Sequence, residues 1–149
     1  KKLGIEYEPI DQIFERSQII SLHCPLTPET HHIIDEEAIS KMQKGVMIVN
    51  TSRGALVDTT AVLAGLKSRK IGNLAIDVYE QEEALFFQDL SGEILEDEEI
   101  TRLLTFPNVL ITAHQSFFTH EALEQIATTT LQNVLDFENE AELVNEIKI

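Results

Sequence analysis

The chain has a single cysteine, Cys24, and no tryptophan, so no intrachain disulfide can form and a reducing compartment, the cytoplasm, is the expected setting. No apolar run approaches the roughly 20 residues that span a bilayer, so no membrane partner is expected. Bases are scarce: eleven Lys+Arg stand against 26 Asp+Glu, a net charge of −15. A protein that tracks phosphates along a nucleic acid needs a basic footprint, and this composition excludes one. Glycine is sparse as well. No two of the six glycines are separated by one residue, so the sequence contains no G-x-G-x-x-G phosphate-binding turn. The first residues, Lys1-Lys2-Leu3-Gly4, resemble no secretory leader and include no Met, so a piece of a longer chain is expected.

The acidity is local. Residues 80–99 hold nine acids and no base, and residues 136–149 hold five acids and Lys148. The other 115 positions carry twelve acids and ten bases, so the chain reads as a near-neutral body with two acidic segments.

Four short apolar runs, Ile19–Leu22, Val46–Val49, Asn73–Ile76 and Val109–Thr112, are rich in aliphatic and β-branched residues and do not alternate. That pattern predicts strands of a parallel sheet buried on both faces. Helical spacing falls between and around them. Residues 10–16 and 35–42 read as helices, and Asp58 reads as the N-cap of a helix with Val62, Leu63 and Leu66 on one face. A long amphipathic helix is expected from Thr119 to about Phe137. The alternation defines an α/β domain with right-handed crossovers. Glu80–Thr105 interrupts the rhythm and reads as an acidic surface excursion anchored by Phe86-Phe87, with Glu96–Glu99 opening a solvated helix.

Ligands of open parallel sheets bind at the carboxyl ends of the strands. The residues there are Cys24-Pro25, Thr51–Gly54, Asp77 with the acids after it, and His114. Each also has a structural reading. Arg53 can pair with Asp58, His114 can be a hydrogen-bonded strand-end residue, and Glu80, Glu82 and Glu83 can be solvated charges. Nothing positive lies near Cys24 in sequence to activate its thiol. No metal site is expected, because His31-His32 lack a third ligand at a recognisable spacing and Glu96–Glu99 lack the oxygens and Gly of a calcium loop.

Four blocks in this order, His23–Thr27, Asn50–Asp58 (Asn-Thr-Ser-Arg-Gly-Ala-Leu-Val-Asp), Ala75–Glu82 and Asn108–Gln115, resemble the D-isomer-specific 2-hydroxyacid dehydrogenases across essentially the whole chain. The Gln115-Ser116-Phe117-Phe118-Thr119 stretch and the long connection through Leu85-Phe86-Phe87 are most similar to the D-lactate dehydrogenase branch. The resemblance implies a Rossmann-like dinucleotide-binding domain whose N-terminal strands are missing. Residues 1–137 would be its C-terminal part, and residues 138–149 a tail rejoining the substrate domain. It implies NAD as cofactor and pyruvate, a small 2-keto acid, as substrate. Arg53 would anchor the substrate carboxylate, His114 would be the general acid and base, and Glu82 would orient His114, although composition alone does not choose Glu82 over Glu80 or Glu83. Phe117 would wall the substrate pocket, and Cys24, Pro25, Thr30, Thr51, Ser52, Arg53 and Asp77 would line the cofactor. The ribose-reading acid that separates NAD from NADP is not among these residues.

Ile5-Glu6-Tyr7 resembles the short third strand of such a domain. The strand order of the family would leave Ile19–Leu22 as a free edge, so the 149 residues alone are expected to be marginally stable or to pair through it, and to be inactive without a phosphate cradle. The intact protein would be a homo-oligomer. The alternatives are a dehydrogenase for another D-2-hydroxyacid and a non-catalytic, nucleotide-sensing module of the corepressor type.

Overall fold

The computed structural model describes residues 4–87, 89–90 and 92–147. The chain forms two compact units, Lys1–His114 and Gln115–Ile149.

The first unit is built on a four-stranded parallel sheet, β1 (Ile19–Leu22), β2 (Val46–Asn50), β3 (Ile71–Ile76) and β4 (Val109–Ile111), in the spatial order β1-β2-β3-β4. Each step between neighbours is a parallel crossover through a helix: α2 (Glu36–Lys41), α3 (Thr59–Lys67) and α4 (Glu98–Leu104), with α1 (Ile10–Arg16) leading into β1. The carboxyl ends are aligned, since Leu22 pairs with Asn50, Asn50 with Ile76, and Ile76 with Ile111. Residues that follow the strands therefore collect along one edge.

Helix starts follow local chemistry. Asp35 accepts from the Ala38 amide, Asp58 from the Ala61 amide and Asp97 from the Glu99 and Ile100 amides, each satisfying donors that the first turn leaves unpaired. Asp58 is thus a cap, not the partner of Arg53. Lys41 bridges Glu37 on its own helix and Asp11 on α1, and these two carboxylates raise its pKa.

The core lies against one sheet face. Ile20 and Leu22 of β1, Val46 and Ile48 of β2, and Leu74 and Ile76 of β3 are buried among Phe14, Ile39, Val62, Leu66 and Leu103 of the helices. The other face differs from the expectation of strands buried on both sides: Ile19 is 63% and Leu110 60% exposed, and the intervening positions of β2 are half-buried. The apolar runs record strand propensity at both faces, whereas α1 to α4 supply one packed layer. Ile5-Glu6-Tyr7 forms no strand. No neighbour among the described residues pairs with its backbone, and Tyr7 is almost fully exposed.

The acidic excursion carries the expected helix, α4, but that helix is not wholly solvated: it delivers Ile100 and Leu103 to the core. Of the expected anchor pair, Phe86 packs against the core near Tyr79, while Phe87 is largely exposed. The Tyr79 hydroxyl donates to Asp97, fastening the α4 cap to the end of β3. Burial, with Asp97 beside it, pushes the Tyr79 phenol well above its ordinary range.

In the second unit, α5 (His120–Glu138) starts at Thr119, whose hydroxyl accepts from the Ala122 amide. Its apolar residues Leu123, Ile126, Leu131, Val134 and Leu135 are exposed. The tail folds back on the end of this helix, with the Asn145 side chain donating to Asn133. Among the described residues no helix is long and apolar enough to cross a membrane.

Candidate active site

The loop after β2 is shaped by Asn50, a strand-end residue that is 1% exposed. Its Oδ1 accepts from the Ser52 amide at 3.1 Å and its Nδ2 donates to the Arg53 carbonyl at 2.9 Å, while its own carbonyl accepts from the Asp77 amide at 2.9 Å. One buried amide thus sets the turn that presents Arg53 and ties it to β3. No role was assigned to Asn50 from sequence; an Asn closing a strand before x-Ser is the turn signature that points to it. Asn50→Ala strands the Ser52 N–H and the Arg53 carbonyl, and is expected to lower unfolding free energy by about 2–3 kcal/mol in urea denaturation.

Gly54 follows Arg53 at the closest approach of two loops. A Cβ placed there would lie 2.1 Å from the Tyr79 carbonyl carbon and 2.4 Å from the Glu80 nitrogen. Only glycine lets the Arg53 loop and the loop after β3 touch backbone to backbone. Arg53 is exposed, donates from Nη1 to the Ser52 carbonyl at 2.7 Å, and pairs with no carboxylate among the described residues. Its charge faces a cleft of about 320 Å³ lined by Leu26, Arg53, Gly54 and residues 79–84.

Glu82 opens a short 3₁₀ turn (Glu82–Ala84) after β3. Its Oε2 accepts from the Tyr79 amide at 2.9 Å, and its Oε1 faces His114 Nδ1 at 2.9 Å. The geometry thereby separates three carboxylates that composition left equivalent: Glu82 meets His114, Glu80 meets His32 and Thr59, and Glu83 is exposed. With a carboxylate as acceptor, Nδ1 is assigned the proton and Nε2 is left for another partner.

His114 has a left-handed backbone (φ 54°), as does Ala113 (φ 53°), and its amide donates to the Asp77 carbonyl. Two successive non-glycine residues in that region store strain that the surrounding bonds must hold, a pattern that clusters at functional sites. The Phe87 ring lies against the imidazole with centroids 5.7 Å apart. That contact was also missed from sequence.

Cys24 is half-buried, and its carbonyl accepts from the Ser52 hydroxyl at 2.7 Å. The Thr30 hydroxyl donates to the carbonyl of Pro25 at 2.7 Å, and Thr51 is exposed at the end of β2. Asp77 is 2% exposed, and its carboxylate accepts from the Thr112 hydroxyl. Phe117 belongs to the second unit, where it is half-exposed and meets the edge of Phe118.

A parallel sheet that gathers an arginine with no carboxylate partner among the described residues, a carboxylate-bonded histidine and small uncharged residues at its carboxyl edge has the elements of a nucleotide-dependent dehydrogenase. The chain belongs to the D-isomer-specific 2-hydroxyacid dehydrogenases: residues 1–116 match the family described as D-isomer specific 2-hydroxyacid dehydrogenase, NAD binding domain. It is 50% identical over 146 residues to D-lactate dehydrogenase of Escherichia coli, covering 98% of this chain and 44% of that one. Among solved structures, the pyruvate reductase of Chlamydomonas reinhardtii superposes with a TM-score of 0.90 at 43% identity, over 97% of this chain and 44% of the other. The D-lactate dehydrogenase of Aquifex aeolicus, complexed with NAD and lactic acid, superposes with a TM-score of 0.83 at 38% identity, over 93% of this chain and 42% of the other. The chain therefore spans less than half the length of these relatives, and the fold is an incomplete Rossmann-like NAD-binding domain.

The donor set fits part of NAD. Cys24, Pro25, Thr51 and Ser52 are small and uncharged and follow β1 and β2 at the carboxyl edge of the sheet, the edge where parallel-sheet domains take their ligands. No glycine-rich turn that would cradle the pyrophosphate occurs in these 149 residues.

Proposed function

We propose that these residues form the catalytic half of the cofactor domain of an NAD-dependent D-lactate dehydrogenase that reduces pyruvate. Residues 1–137 then belong to that domain and residues 138–149 rejoin the substrate domain. The observation that carries this reading is the bonding of Glu82 to His114 beside a cleft in which Arg53 has no carboxylate partner among the described residues.

The roles follow from the chemistry of each group. Arg53 binds the pyruvate carboxylate through two parallel N–H···O bonds, which fixes the position of the keto carbon next to it. In its imidazolium form His114 keeps its Nδ1 proton on Glu82 and gives its Nε2 proton to the carbonyl oxygen as that oxygen becomes an alkoxide; in the reverse direction the neutral Nε2 takes it back. Glu82 keeps the imidazole in one tautomer and orientation, a positioning role that works only because the Tyr79 amide holds its other oxygen. Phe117 walls the substrate side, and Cys24, Pro25, Thr30, Thr51, Ser52 and Asp77 border the cofactor, which when bound supplies the hydride.

The test is turnover by the full-length protein. NADH oxidation with pyruvate, yielding the D isomer of lactate, is the expected result. Faster turnover of 2-oxoisocaproate or phenylpyruvate would move the substrate to another 2-keto acid, and no turnover with any of them would overturn the reading. Arg53→Lys keeps the charge but loses the fork. It is expected to lower kcat/KM for pyruvate about 10²-fold, mostly through KM, equivalent to about 2.7 kcal/mol. An unchanged KM would place the carboxylate elsewhere.

A further inference from the structure

The dehydrogenase reading leaves one cluster of ligating side chains unused. His31 and His32 follow the turn after β1, where the Thr27 carbonyl accepts from the Thr30 and His31 amides. His32 is left-handed (φ 52°), and its amide donates to the Ala55 carbonyl in the loop after β2. That turn brings two sequence neighbours together, with ring centroids 3.9 Å apart and planes inclined by 30°. Glu80, 48 residues beyond His32, completes the group from the loop after β3: its Oε1 lies 2.6 Å from His32 Nε2. One donor atom from each of the three residues lies within 4.8 Å of the other two, and among the described residues no other three His, Cys, Asp or Glu side chains are so arranged.

We propose that His31, His32 and Glu80 form a binding site for a divalent transition ion of the zinc type, with water completing the coordination. Two imidazoles and one carboxylate are the donor set of zinc, cobalt and nickel, and offer too few oxygens for calcium or magnesium. Glu80 is oriented for the task, since its Oε2 accepts from the Thr59 hydroxyl at 3.1 Å, the kind of outer contact that positions a ligating carboxylate. His31 is exposed and swings in as the third ligand. On binding, the metal takes the place of the hydrogen bond between His32 Nε2 and Glu80 Oε1. The ion would join the loops after β1 and β3, the second of which carries Glu82. This proposal stands independently of the reaction assigned to the neighbouring site.

The experiment is calorimetric titration of the chelator-treated chain with zinc ion alone, in parallel with His31→Ala and Glu80→Gln. His31 is exposed, so its replacement leaves the fold intact, and circular dichroism checks this. The expected result is one saturable site that weakens at least about tenfold in both variants, with cobalt ion giving visible d–d absorption that His31→Ala abolishes and magnesium giving no heat. Zinc binding of unchanged affinity in His31→Ala, or no saturable binding by the parent chain, overturns the proposal.

Discussion

On the proposed reading, replacing His114 by Asn is expected to lower kcat/KM for pyruvate in the full-length protein by about 10³-fold, close to 4 kcal/mol of transition-state stabilisation, with the melting temperature near that of the parent. The choice of Asn follows from the backbone. Ala113 and His114 are both left-handed, and Asn tolerates that region better than most residues, so the loop keeps its path and the amide keeps its bond to the Asp77 carbonyl. An Asn side chain has no acidic proton to give near neutral pH. The loss is therefore expected in kcat more than in KM, because the carboxylate anchor at Arg53 is untouched. Glu82→Gln tests the same pair from the other side: it leaves the imidazole in place but loses the fixed acceptor at Nδ1, and the expected loss is smaller, about 10²-fold. If His114→Asn turned over pyruvate at the parent rate with an unchanged melting temperature, the proton donor would lie elsewhere.

Much of this architecture is legible without coordinates because it is local. The limits of β1 follow from a continuous apolar run, and Asp35, Asp58 and Thr119 start helices because their side-chain oxygens reach amides three residues on. What was not legible depends on long-range pairing. Glu82 differs from Glu80 and Glu83 only through the Tyr79 amide and an imidazole 32 residues away. The third donor beside His31 and His32 is hidden for the same reason. Ile5–Tyr7 has strand propensity but no neighbour to pair with, and propensity alone does not make a strand. In Glu80–Thr105, the density of acids masks Ile100 and Leu103, which sit three residues apart on one face of α4 and reach the core.

The largest combined effect on stability and catalysis is expected at Gly54. In Gly54→Ala the new methyl group would meet the Tyr79 carbonyl carbon, its oxygen and the Glu80 nitrogen at 2.1 to 2.4 Å, where ordinary contacts begin near 3.4 Å. These are backbone atoms, so no side chain can turn aside. The loops after β2 and β3 must part by roughly an ångström, against the Asn50–Asp77 backbone bond and the Asn50 side-chain turn. An overpacked contact of this kind costs about 3 kcal/mol, which for a chain of this size lowers the melting temperature by roughly 10 °C. Arg53 lies on one of the parted loops and Glu82 on the other, so the separation also moves the anchor away from the His114 pair. A displacement of that size is expected to cost about 10² in kcat/KM in the full-length protein, measured below the melting transition. Gly72 supplies the control. A Cβ there would meet the Gly45 carbonyl oxygen at 2.5 Å, near the amino end of β3 and far from the site edge. Gly72→Ala is therefore expected to destabilise to a similar degree while leaving kcat/KM of the folded protein unchanged. Equal losses of kcat/KM in both variants would mean that Gly54 matters only for folding; loss confined to Gly54→Ala would mean that the contact between the two loops sets the geometry of Arg53 and Glu82.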